Sequence, residues 1–136
     1  MSLPPTSRLQ RLGLLGLSAL FVTAGIFHFA KPRPFERIVP PQLPAPEALV
    51  AISGAAEIGL GLLLLPRATR RSAAWGLVAL LVAVFPANIY MARLPGGGLG
   101  LPQWMLWARL PLQGVLVAWA WWYTRPQKVL DLGDNR

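Results

Sequence analysis

The chain has no cysteine, a single histidine and only five acidic residues. Without cysteine there is no disulfide framework, thiolate nucleophile, iron–sulfur cluster or cysteine-based zinc site. One imidazole also excludes a multi-histidine metal centre within the chain. Charge is scarce: 13% of residues carry one, where a soluble domain usually has about 25%. The few charges are clustered, leaving long uncharged runs between them. A net charge of +8 would point to nucleic acid in a water-soluble protein. Beside membrane segments, the same Lys and Arg side chains orient the chain and attract anionic head groups. The expected partner is therefore the lipid bilayer, and nucleic acid is not one.

What the chain does have is apolar surface: 54% of its 136 residues are hydrophobic. Crossing a bilayer takes about 20 apolar residues in helical form. The sequence predicts an all-α, integral membrane four-helix bundle forming one transmembrane domain over residues 1–136, with spans at about 12–30, 48–65, 72–91 and 104–124. Arg8 and Arg11 precede the first run, as in a signal peptide. The run continues to Ala30 without a small-x-small cleavage site, which reads as a retained signal-anchor. The fourth span is the least uniform, because Arg109, Pro111 and Gln113 interrupt it. Residues 125–136 read as a frayed cytoplasmic tail.

Between the first two spans, residues 31–47 carry Pro32, Pro34, Pro40, Pro41, Pro44 and Pro46. They read as an extended, semi-rigid loop rather than a helix. Pro66 and the Arg67–Arg71 cluster read as a tight turn, and residues 95–100 as a glycine-rich flexible link. Arg8, Arg11, Arg67, Arg70, Arg71, Arg125, Lys128 and Arg136 fall on one side of these spans. Lys31, Arg33, Arg37 and Arg93 fall on the other. The positive-inside rule then places both termini in the cytoplasm of a multi-pass protein of the cell (inner) membrane. Trp75, Trp119, Trp121, Trp122 and Tyr123 would mark the inner interface, and Trp104 and Trp107 the outer one.

Every span adds a polar group to the outer half: His28, Glu57, Asn88, and Arg109 with Gln113. A charge in hydrocarbon costs about 2.5–3.5 kcal/mol on insertion scales, so these side chains should face inward and be partnered. Ser53, Gly54, Glu57 and Gly61 recur at three and four residues and share one helical face, where small residues admit a close neighbour. Glu57 lies nine residues below the start of its span, roughly 14 Å deep. Arg109 is long enough to reach it, with Asn88 and Gln113 alongside as hydrogen-bonding neighbours. A planar guanidinium suits a bidentate pair with a buried carboxylate. The plainer readings are that the Glu57–Arg109 pair locks helix register, that His28 bonds a loop carbonyl, and that Asn88 and Gln113 satisfy carbonyls freed by Pro86 and Pro111.

Several stretches together resemble the DoxX-like membrane proteins. They are Gly25-Ile26-Phe27-His28-Phe29, Ile38-Val39-Pro40-Pro41, Ser53-Gly54-Ala55-Ala56-Glu57-Ile58-Gly59-Leu60-Gly61, Phe85-Pro86-Ala87-Asn88 and Arg109-Leu110-Pro111-Leu112-Gln113. The resemblance covers about residues 12–124. It implies a four-helix bundle in which Glu57 matches the acidic residue of the second helix. Some DoxX relatives are membrane subunits of quinone-linked sulfur or oxidative-stress systems. The methylamine-utilisation and vitamin K reductase branches use cysteines, so their thiol chemistry does not carry over to this chain.

Two functional readings follow. In one, His28, Asn88, Arg109 and Gln113 donate hydrogen bonds to a quinone or other amphiphile, and Glu57 relays protons. With no flavin, haem or metal motif and no covalently bound cofactor, electrons would come from a protein partner in a membrane complex. In the other, the chain is a non-enzymatic scaffold or assembly factor whose Glu/Arg cluster sets helix packing. A proton or solute carrier is disfavoured by the lack of internal repeats. No catalytic motif is present, and no catalysis is expected of the isolated chain.

Overall fold

The computed structural model describes residues 8–125; the rest of the expected tail, 126–136 with Lys128 and Arg136, lies outside the described residues. Four long helices dominate: α1 (Arg8–Ala30), α3 (Pro46–Leu63), α4 (Arg67–Arg93) and α5 (Gln103–Trp122). A short α2 (Pro32–Arg37) and a 3₁₀ turn (Pro95–Gly98) lie in the connections. There is no strand among the described residues. Three helices, α1, α3 and α4, are long and apolar enough to cross a membrane. At 20 residues α5 matches them in length, but Gln103, Arg109 and Gln113 lower its mean hydropathy.

The outward faces suit hydrocarbon. Leu12 of α1 is 65% exposed, Ile52 of α3 66%, Val82 of α4 63% and Val115 of α5 59%. A water-soluble protein would gather such side chains inward; a helix surrounded by lipid has no reason to.

Packing begins with small residues. A Cβ on Gly25 would stand 2.6 Å from the Gly54 carbonyl, and one on Gly54 2.7 Å from His28 Cβ. Only glycine at these positions lets the α1 and α3 backbones meet. That approach brings Ser18 Oγ within 2.7 Å of the Gly61 carbonyl, to which it donates. The close neighbour expected on the Gly54–Glu57–Gly61 face is therefore α1. Helix α4 lies against α3, and α5 packs chiefly on α4.

At the end that holds residues 10 and 123, Leu14, Leu17 and Phe21 of α1 meet Leu77 and Leu81 of α4, with Leu64, Ala120 and Tyr123. Tyr123 Oη donates to the Gln10 carbonyl at 2.8 Å, closing the chain across 113 positions. Tyr123 is thus fully buried, not part of an interfacial belt as the sequence suggests, whereas Trp75, Trp104, Trp107 and Trp121 are well exposed. At the opposite end Met91, Ala92 and Leu106 form a smaller cluster with Ile38, Leu101 and Leu110.

The connections differ from expectation. The proline-rich stretch is not all extended, because Pro32–Arg37 is helical. Pro32 sits at the first helical position and Pro34 still within the first turn, where the missing N–H groups would have had no partner anyway. The glycine link is not loose either. Gly96, Gly97, Gly98 and Gly100 all have positive φ, and Gly97 is buried where a Cβ would meet Leu106 at 2.8 Å. The chain does turn tightly after α3, but residues 67–71, expected in that turn, are the first turns of α4, and two of their side chains cap α3. Thr69 Oγ1 donates to the Leu63 carbonyl at 2.7 Å, and buried Arg70 donates to Leu64 and Leu65 carbonyls at 2.9 and 2.7 Å. These are α3's last carbonyls and the ones just after it.

Candidate functional site: an imidazole and a carboxylate under a short helix

His28 lies in the last turn of α1, and Glu57 lies past the middle of α3. Helix register sets them side by side: His28 Nδ1 is 3.1 Å from Glu57 Oε2, both side chains being almost nine-tenths buried. Glu57 is eleven residues from the start of α3, while His28 is two residues from the end of α1. The first turns of α3 therefore project well past α1, by an estimated ~13 Å at the rise of a helix. The carboxylate is level with the end of α1, not deep below a common mouth. The space above it is roofed by α2, whose Phe35 stacks on the His28 ring with centroids 3.9 Å apart.

Hydrogen-bond direction decides the chemistry here. His28 Nδ1 also lies 2.8 Å from the Ala24 carbonyl, one turn earlier in α1. A carbonyl only accepts, so Nδ1 carries a proton and donates it there. That leaves Glu57 Oε2 buried beside the same nitrogen without a hydrogen bond. Nε2, the other ring nitrogen, has no protein partner among the described residues. When Nε2 takes a proton the ring becomes an imidazolium, with the carboxylate 3.1 Å from Nδ1 as its counter-charge and Nε2–H free to donate. The expected loop-carbonyl partner for His28 is instead a carbonyl of its own helix.

The other expected site residues lie elsewhere. Asn88 Nδ2 donates to Gln113 Oε1, and Gln113 Nε2 donates on to the Leu81 carbonyl. Asn88 and Gln113 are thus brought together as expected, between α4 and α5. Their bonds serve the backbone near Pro86, whose missing N–H frees the Val82 carbonyl next to Leu81. Arg109 does not pair with Glu57. Its Nη1 contacts Met91 Sδ at 3.2 Å and the side chain is exposed. The reason is azimuthal: the Glu57 face is covered by α1 at Gly25 and Gly54, while α5 lies against α4. Among the described residues no hydrogen bond or ion pair joins the His28–Glu57 pair to the Asn88–Gln113 pair. The single five-residue cluster resolves into two stations and a separate arginine.

Sequence reasoning misses one participant, Phe35, in a segment read as loop, although proline at a first helical position is a helix-start signal. Away from the site it also misses the capping role of Arg70, because no local pattern distinguishes a capping arginine from a solvated one. Among known proteins, a family profile described as Domain of unknown function (DUF8561) matches residues 17–124. No curated protein and no solved structure matches the chain.

Proposed function

For this chain, which belongs to the DUF8561 family, we propose the role of a DoxX-like membrane protein that binds a carbonyl-bearing amphiphile of the quinone type at His28 and Glu57. In this reading α1, α3, α4 and α5 all cross the cell (inner) membrane as a four-helix bundle, with both termini in the cytoplasm. In this reading Gln113 of α5 turns inward to Asn88, and the long stem of exposed Arg109 lets its charge reach toward the head groups.

The observation that carries the reading is the buried Glu57 oxygen, 3.1 Å from an imidazole nitrogen whose proton is already given to Ala24. A carboxylate kept in apolar surroundings without hydrogen bonds is costly, and a site that only had to pack would use an apolar side chain. What the pair offers a ligand is Nε2, an acceptor while the ring is neutral and a donor once it takes a proton, with a carboxylate to balance the charge. Phe35 supplies an apolar plane beside it, suited to a flat ring. A quinone bound there would supply redox capacity. The protein's own residues would orient its carbonyl and hold a proton, and electrons would come from a partner.

The test is extraction and identification of whatever copurifies in mild detergent. The parent should carry a quinone or similar amphiphile, and Glu57→Gln and His28→Phe should each lose it while staying folded. Arg109→Gln should retain it, since Arg109 stands apart from the pair. Unchanged ligand content in Glu57→Gln with lowered thermal stability would favour the scaffold reading. That reading draws support from the Asn88–Gln113–Leu81 chain of bonds, which looks after helix packing alone.

A further inference from the structure

Where α3 projects past α1, an open groove of about 600 Å³ runs between it and α2. This falls in the approximate 300–1,000 Å³ range of small-ligand sites. Its walls are Arg33, Glu36 and Arg37 from α2, and residues 45–48, including Glu47, from the start of α3. Two cations and two carboxylates face one space, yet among the described residues they form no ion pair with one another. Among the described residues, the one polar bond any of their side chains makes is long, Arg37 Nη1 to the Gly98 carbonyl at 3.5 Å.

Arg33, Arg37 and Glu47 are exposed and Glu36 is half-buried, so all four are open to a ligand in the groove. Arg33 and Arg37 are one turn apart on α2, so they repel unless an anion lies between them. Glu36 and Glu47 come from different helices and converge on the same groove. The groove also sits at the end of the apolar helices, where a membrane-spanning chain meets head groups rather than bulk water or hydrocarbon.

We propose that the groove seats the head group of a phospholipid bearing both a phosphodiester and a primary ammonium. Arg33 and Arg37 take the phosphate, a natural match for planar guanidinium forks. Glu36 and Glu47 take the ammonium, whose N–H groups donate to carboxylates. A purely anionic head group would leave the carboxylates facing it without a cation. A trimethylammonium has no N–H to donate. The charge pattern therefore selects a phosphatidylethanolamine over phosphatidylglycerol and phosphatidylcholine. This inference needs the chain to sit in a membrane but is independent of what His28 and Glu57 bind.

Purified full-length protein in mild detergent is titrated with each of these three lipids, matched in acyl chain, and retained lipid is counted by native mass spectrometry. The parent should retain phosphatidylethanolamine over the other two by roughly tenfold, the worth of one charge-assisted hydrogen bond. Arg33→Gln with Arg37→Gln should bring phosphatidylethanolamine down to the level of the others. Glu36→Gln with Glu47→Gln should erase its advantage over phosphatidylglycerol. Equal retention of the three lipids by the parent, or preference for phosphatidylglycerol, overturns the proposal. So does unchanged selectivity in either double variant. Should a double variant fail to fold, the parent's own ranking of the three lipids decides the matter.

Discussion

Between α1 and α3 a single methyl group is decisive. A Cβ on Gly25 would lie 2.6 Å from a backbone oxygen, which cannot swing aside as a side chain could. Gly25→Ala should therefore force the helices apart and lower stability by about 1–3 kcal/mol, the usual cost of overpacking. Thermal unfolding in detergent would show it. Gly59→Ala is the matched control: nothing lies within 4 Å of its Cβ position, and the melting temperature should hold or rise slightly. If the two variants melt alike, the close α1–α3 approach is not real. The glycine spacing on α3 was readable beforehand as a packing face. The identity of the residue opposite, Gly25, was not, because periodicity within one helix says nothing about its neighbour's register.

Helices α3 and α4 meet at a corner held by side chains. Arg70 donates to the Leu64 and Leu65 carbonyls from a buried position. Arg70→Met keeps much of the apolar stem and removes the donors, leaving those carbonyls without them. A loss of about 1–3 kcal/mol is expected, read from chemical denaturation. Arg67→Met, at an exposed site in the same turn, should change little. On α4 and α5 the comparable element is the Asn88–Gln113 bridge. Gln113→Leu should cost about 0.5–2 kcal/mol, and a double-mutant cycle with Asn88→Ala should show coupling between the two. Additive single effects would remove the bridge from the account. Here the residue types were legible as polar groups needing partners, and Pro86 as a source of free carbonyls. That Gln113, not Asn88, reaches the α4 backbone depended on the azimuth at which α5 packs.

For the whole molecule, the bond from Tyr123 to Gln10 places both ends of the described chain on one side. Only residues 64–66 separate α3 from α4, so these two helices run antiparallel. The absence of cysteine offers a clean test of orientation. Leu43→Cys, in the segment after α2, should react with a membrane-impermeant maleimide added to intact cells. Ala68→Cys, exposed in the first turn of α4, should react only once the membrane is opened. The opposite labelling pattern would invert the topology while leaving the fold untouched. Labelling of both sites in intact cells would contradict α3 as a complete span. The two stations differ in kind at this scale. Asn88–Gln113 lies between the two apolar clusters along α4 and α5, and His28–Glu57 lies at one end beneath α2.

Run length and composition alone marked α1, α3 and α4 as helices apolar enough to cross a bilayer, since long runs with so little charge have few other stable forms there. The same local information marked His28, Glu57, Asn88 and Gln113 as groups that must find partners, because burying a polar group unpaired is costly in any fold. Which partners they find came from register and rotation, properties of a pair of helices rather than of one. Gly25 against Gly54 slides α3 past α1 until Glu57 meets His28, and the same contact turns the carboxylate away from Arg109.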